Sequence, residues 1–94
     1  MAKSYYSSKL AAERLKRCYE IAPPRIRRYL RAEVEFALVN IRRGDLLLDL
    51  GCGYGRTMRV FTRKAGFVVG IDVSRSSLLL GQSYLRLDKN WLLL

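Results

Sequence analysis

Residues 46–55 read Leu-Leu-Leu-Asp-Leu-Gly-Cys-Gly-Tyr-Gly, an apolar run that passes directly into a turn with glycine at every second position. An apolar run of this length predicts a strand buried in a parallel sheet. Glycines at 51, 53 and 55 let the backbone bend tightly and approach a ligand closely. The segment after Gly55 has helical character, so its unpaired N–H groups face the same place. A second apolar run, Phe67-Val68-Val69-Gly70-Ile71, ends on Asp72, 21 positions after Gly51. A carboxylate so placed can accept both hydroxyl hydrogens of a ribose.

The spacing separates three kinds of nucleotide site. A dinucleotide fingerprint requires glycine at position 56, where Arg56 stands. A phosphate-binding P-loop requires a glycine at Leu50 and a lysine after Gly55, and has neither. What remains is Asp49-x-Gly51-x-Gly53-x-Gly55, preceded by a strand and followed by a helix and then Val-Gly-Ile-Asp. This pattern resembles the first motif of the class I S-adenosylmethionine-dependent methyltransferases, and Gly70-Ile71-Asp72-Val73-Ser74 is similar to their second. The resemblance runs from about Asp45 to the last residue, with weaker similarity in the helices before it.

The resemblance implies an α/β, Rossmann-like class I methyltransferase fold, a three-layer parallel sheet of which this chain carries the first three strands after two N-terminal helices. It implies S-adenosyl-L-methionine as cofactor, with Asp49, Gly51, Cys52, Gly53, Gly55, Asp72 and Val73 around it. The glycine backbones would line the methionine end, Asp72 would hold the ribose, and Val73 would cover an adenine face. Asp49 has two readings: attraction of the ligand's ammonium, or tying down the turn by accepting backbone N–H bonds. Ser74 is the better cap for the following helix, which leaves Asp72 for a ligand. Tyr5 and Tyr6 are candidates to close over the site, and Arg56 to hold the ligand carboxylate. Cys52, between two motif glycines in a chain without histidine, reads as a small residue lining the turn rather than a nucleophile. Groups that hold or deprotonate a methyl acceptor come from later strands in this family, so no catalytic residue is assigned. The acceptor (small molecule, protein or RNA) stays open.

Two segments follow from composition. Residues 1–44 carry 11 basic and 4 acidic residues, and residues 45–94 carry 7 and 4, so the net charge of +10 concentrates ahead of the glycine motif. Such a surface attracts phosphate backbones or anionic membranes. A basic nucleic-acid-binding module, or a non-catalytic interaction protein keeping a partial methyltransferase fold, is therefore the alternative function. Two cysteines without metal-ligand spacing predict no metal site, and together with the lack of a signal peptide they predict a reducing cytoplasm. No apolar run approaches the ~20 residues of a membrane helix.

Periodicity predicts a helix over 4–22 with Ala11, Leu15, Cys18 and Ala22 on one face, and a second over 24–43 burying Ile26, Leu30, Val34, Ala37, Leu38 and Ile41. Gly44 is the expected residue beyond that helix's end. Helices over 55–65 and 75–87 then alternate with strands at 46–50, 67–71 and 91–94. Alternation of this kind implies a parallel sheet with right-handed crossovers. The strand at 91–94 breaks off in mid-run, which predicts a truncated product or an N-terminal piece of a larger enzyme. Without the fourth strand of the family, Leu46–Leu50 becomes an open edge, and self-association through it, pairing with a partner fragment or poor stability is expected.

Overall fold

The computed structural model describes residues 12–94. Two helices come first, α1 (Glu13–Glu20) and α2 (Pro24–Asn40). They are followed by β1 (Leu46–Leu50), α3 (Met58–Phe61), β2 (Phe67–Ile71), α4 (Arg75–Tyr84) and β3 (Trp91–Leu93). The strands form one parallel sheet in the order β1-β2-β3. Leu47 is opposite Val68, Asp49 opposite Gly70, and Val68 opposite Trp91.

This strand order decides where the helices go. Each crossover moves one strand in the same direction, and a right-handed crossover then puts its helix on the same side every time. The core accordingly lies on one face of the sheet, where Met58, Phe61, Ala65, Val68, Cys52, Leu85 and Ile41 are buried together. Val34, Ala37 and Leu38 of α2 pack against this cluster, so α2 and the sheet share one core. The α/β class, the parallel sheet and the two leading helices are as expected. Of the three layers of such a fold the described residues supply two, because the opposite face carries no helix. Leu46, Leu48 and Leu50 there are 76%, 55% and 72% exposed, so the strand expected to be buried is covered on one side only.

Helix boundaries differ from the sequence pattern for local reasons. Pro24 opens α2 at a position where its missing N–H is not needed. That helix stops at Asn40, before Arg42 and Arg43, because the Asp45 carboxylate accepts from the Arg42 N–H at 2.8 Å and the Asp45 N–H donates to the Arg42 carbonyl. Gly44 (φ 85°) thus belongs to this turn and not to the helix end itself. Ile26 lies outside the packed stripe, 49% exposed, and Cys18 is exposed on α1, whose inward side chains are Leu15 and Tyr19. Between Gly55 and Ala65 only Met58–Phe61 is regular helix, flanked by tighter turns such as Val60 N–H to Thr57 carbonyl. Ser74 caps α4, its Oγ accepting from the Ser77 N–H at 3.2 Å. Before β3 the Trp91 indole N–H donates to the carbonyls of Leu85 and Asp88, and the Asn90 amide to that of Thr62. No helix among the described residues is long and apolar enough to cross a membrane.

Candidate functional site

The chain leaves β1 through three left-handed residues, Gly51 (φ 74°), Gly53 (φ 58°) and Gly55 (φ 88°). Any residue with a Cβ is strained in this region. At Gly55 a Cβ would also come within 2.8 Å of Leu85, so this glycine lets the turn settle against α4. At Gly53 a Cβ would meet Leu15 of α1 at 3.0 Å. The turn is therefore closed over by α1 on one side and α4 on another.

Its backbone is also pinned to the end of β2. The Ile71 carbonyl accepts from both Gly51 N–H (2.7 Å) and Cys52 N–H (3.0 Å). One oxygen of the Asp72 carboxylate accepts from Gly53 N–H at 2.8 Å, and the other from Ser74 N–H at 2.8 Å. The side chain at position 72 thus points at the bend. It is not left wholly to a ligand by the Ser74 cap, however, since each oxygen already holds one backbone proton. A carboxylate oxygen has two lone-pair positions, so acceptor capacity remains on both.

Asp49 is tied to the far end of the turn by a different group. Its Oδ2 accepts from the Thr57 hydroxyl at 2.8 Å, a side-chain bond in place of the backbone N–H bonds anticipated as one reading. Burial raises the Asp49 pKa above its usual value, against the Thr57 hydrogen bond and the Arg56 charge, while Asp72 adds to the rise. Burial, followed by the Asp49 and Asp72 charges, pushes the Cys52 thiol up to about 12. The thiol therefore stays protonated at neutral pH and is no nucleophile. Tyr54, 3% exposed, meets the rings of Tyr84 (5.1 Å) and Tyr19 (6.4 Å) edge-on and holds α1 and α4 to the turn. Its hydroxyl is pushed up to about 12, first by burial.

Two cavities open beside the turn. The larger, about 430 Å³, lies between Gly51, Gly53, Ile71, Asp72 and Val73, with Leu15 and Tyr19 of α1 as its other wall. The smaller, about 210 Å³, is reached past the same Leu15 and Tyr19 and includes Asp49, Cys52, Arg56 and Thr57. Six of the seven residues singled out in the sequence thus line one cavity or the other. Gly55 does not, being turned to Leu85. Leu15, Tyr19, Thr57 and Ser77 were not singled out. Tyr19 carried a usable signal, an aromatic one helical turn after Leu15 on the face toward the glycines. Tyr5 and Tyr6 lie outside the described residues. Among those residues no cluster of three metal-ligating side chains occurs.

No protein-family model matches the chain, and no curated protein matches it in sequence. Solved structures do. A cyclopropane synthase from Mycobacterium tuberculosis is 29% identical over 67% of this chain and 24% of its own, with a TM-score of 0.59. The geranyl diphosphate C-methyltransferase of Streptomyces coelicolor A3(2), solved with Mg2+, geranyl diphosphate and S-adenosyl-L-homocysteine, is 29% identical over 72% of this chain and 28% of its own, with a TM-score of 0.60. Phosphoethanolamine N-methyltransferase 1 of Haemonchus contortus, at 20% identity, shares the fold over 95% of this chain and 18% of its own, with a TM-score of 0.64. The chain spans roughly a quarter of the length of the solved structures it matches.

Proposed function

We propose that the chain belongs to the class I S-adenosylmethionine-dependent methyltransferases, as its likeness to solved structures supports, and that the cavities at its glycine turn hold S-adenosyl-L-methionine for methyl transfer to an acceptor. The observation that carries this reading is the position of Asp72. Its carboxylate ends β2, grips the Gly53 N–H and still has acceptor capacity beside the larger cavity. A vicinal diol needs an acceptor of this kind. The walls suit the rest of a nucleoside: Val73, Ile71 and Leu15 are apolar, and Tyr19 presents a ring. Gly51 and Gly53 remove side chains where the ligand would run along the backbone. Cys52 is a small, inert filler of the smaller cavity, and Gly55 shapes the turn without touching the ligand.

Asp49 has one oxygen engaged by Thr57 and the other available to an ammonium. A cationic group there would offset the burial that raises its pKa. When bound, the cofactor would supply an electrophilic methyl group on a sulfonium. The residues of this chain bind and orient it, and alignment of donor with acceptor is a large part of such catalysis. The acceptor is a small molecule, a protein or RNA.

Isothermal titration with S-adenosyl-L-methionine tests the reading, with Asp72→Asn as the variant: it removes the charge, and its single amide oxygen can accept from only one of the Gly53 and Ser74 N–H groups. Hydrogen bonds to a charged partner contribute ~1.5–3 kcal/mol, so affinity should fall roughly ten- to hundredfold, and a melting curve checks that the variant, which also gives up one backbone hydrogen bond, is folded at the titration temperature. An affinity unchanged by the substitution removes the ribose assignment, and a wild-type chain that takes up no cofactor removes the site.

A further inference from the structure

A third cavity, of about 440 Å³, lies on the other side of Tyr19, between α1, α2 and the start of α3. Three guanidinium groups line it: Arg27 and Arg31, one turn apart on α2, and Arg56 from the glycine turn. Its floor is apolar, formed by Leu30, Val34 and Val60. Arg56 is fixed in place by stacking on the Tyr19 ring, with its guanidinium carbon 4.2 Å from the ring centre. Arg27 is held by donating to the backbone carbonyl of Glu20.

Among the described residues none of these three cations forms an ion pair with a carboxylate, although Asp49 lies near enough to Arg56 to feel its charge. The one acid lining the groove, Glu20, is paired with Lys16 at 3.9 Å, and that is the sole ion pair among the described residues. Residues 1–11 contain no Asp or Glu that could supply another. Like charges gathered in a groove repel one another, more strongly beside low-dielectric walls than in open solvent. Planar guanidinium forks held by stacking and backbone contacts are suited to tetrahedral oxyanions, which they bind bidentately.

We propose that this groove binds a phosphate-bearing ligand, with Arg27, Arg31 and Arg56 on the phosphate and the apolar floor under the remainder. Its volume is on the scale of small-ligand pockets. Tyr19 and Arg56 also line the smaller cavity at the glycine turn. A phosphorylated ligand in the groove is therefore separated from that cavity by a single stacked pair. The phosphate belongs to a small phosphoester or to a nucleic-acid backbone, and the two sources can be told apart.

The probes are inorganic pyrophosphate, titrated calorimetrically at fixed ionic strength, and a 20-nucleotide single-stranded RNA followed by fluorescence anisotropy. Pyrophosphate is expected to bind, and Arg27→Gln/Arg31→Gln to weaken it at least tenfold. Arg25→Gln/Arg28→Gln removes the same charge from the same helix outside the groove and should change it less than twofold. Equal losses in the two double variants, or no uptake of pyrophosphate by the wild-type chain, overturn the proposal. RNA that displaces pyrophosphate and weakens only in the Arg27/Arg31 variant identifies the backbone as the natural source. Pyrophosphate binding that RNA does not displace identifies a small phosphoester. RNA that displaces pyrophosphate yet weakens equally in both variants means the charge acts diffusely, and the groove is not a site. Should the Arg27/Arg31 variant lose its fold by circular dichroism, side-chain Nε–Hε resonances of the wild-type chain decide. Pyrophosphate must shift those of Arg27, Arg31 and Arg56, and shifts confined to other arginines overturn the proposal. None of these readouts uses S-adenosyl-L-methionine, so cofactor binding stands or falls separately.

Discussion

The two faces of the sheet are built from the same three strands and differ in almost everything else. Toward the helices, β1 shows Leu47 and Asp49, β2 shows Val68 and Gly70, and β3 shows Trp91 and Leu93. Here Val68 is fully buried and Gly70 is pressed against Met58 and Cys52. On the opposite face stand Leu46, Leu48, Leu50, Phe67, Val69, Ile71, Leu92 and Leu94, with no polar residue among them. All but Val69 are more than a third exposed. The covered face is close-packed yet carries an acid, a glycine and the neighbouring thiol. The bare face is purely apolar, yet among the described residues no helix covers it. A parallel sheet is stable when both faces are covered. The comparison teaches that packing on the helix side is constrained by shape, whereas the other side is specified by hydrophobicity alone.

The largest expected effect comes from breaking the shape constraint. A Cβ at Gly70 would stand 2.3 Å from the Met58 sulfur and 2.7 Å from the Cys52 sulfur. Gly70→Val adds two more methyl groups at that point. Overpacking of a core costs typically 1–3 kcal/mol, and here should reach or exceed about 3 kcal/mol. Against a typical domain stability of about 5–15 kcal/mol that is a severe loss. Leu48→Thr, on the neighbouring strand but the bare face, should stay within about 0.5 kcal/mol. Urea unfolding followed by circular dichroism measures both. Similar losses at the two positions would mean that the bare face is packed in solution.

A second, smaller effect concerns association. β1 is an edge strand whose unpaired backbone groups adjoin the apolar face, a combination that invites pairing with another chain. The chain is expected to self-associate, and Leu46→Lys/Leu48→Lys/Leu50→Lys to shift it toward monomer without loss of helix content. Sedimentation velocity across a concentration series reads the difference. A wild-type chain that stays monomeric throughout breaks the account of the bare face.

Much of the covered side was legible in the sequence because its signals are local. Strand, glycine turn and terminal acid each announce themselves over a few residues, and β1 and β2 lie where their apolar runs do. Ser74 as the α4 cap is likewise a property of one residue and its neighbours. The failures are relational. Asp72 was expected to be available because Ser74 capped the helix, but its position against the Gly53 N–H depends on how two separate strands align. Thr57 follows the motif by two residues and reveals its role only when the turn folds back on Asp49. The end of α2 at Asn40 depends on a turn closed by Asp45, which outcompetes a pattern that would run on to Arg43. The bareness of one face follows from strand order, which no single strand encodes.

The smallest effect sharpens the comparison most, because it singles out the one acid on the helix face of the sheet. The folded-state pKa of Asp49 is raised above 3.8, chiefly by burial. The native state therefore holds this proton more tightly than the unfolded chain does. The stability that follows is fully present below pH 3.8 and is lost as pH rises through the raised folded value. At neutral pH the ionised carboxylate thus opposes folding, and Asp49→Asn, which can still accept from the Thr57 hydroxyl, should raise the melting temperature. The gain should shrink as pH falls and vanish below about 3.8, where both side chains are uncharged. The same substitution should weaken binding of a cationic ligand, since the charge that costs stability is the one proposed to meet the ammonium. Melting curves of the two proteins across this range, with and without S-adenosyl-L-methionine, measure both consequences. A variant that is less stable than wild type at pH 7, or equally well protected by the cofactor, would assign Asp49 to the architecture of the turn and leave the ammonium to another partner.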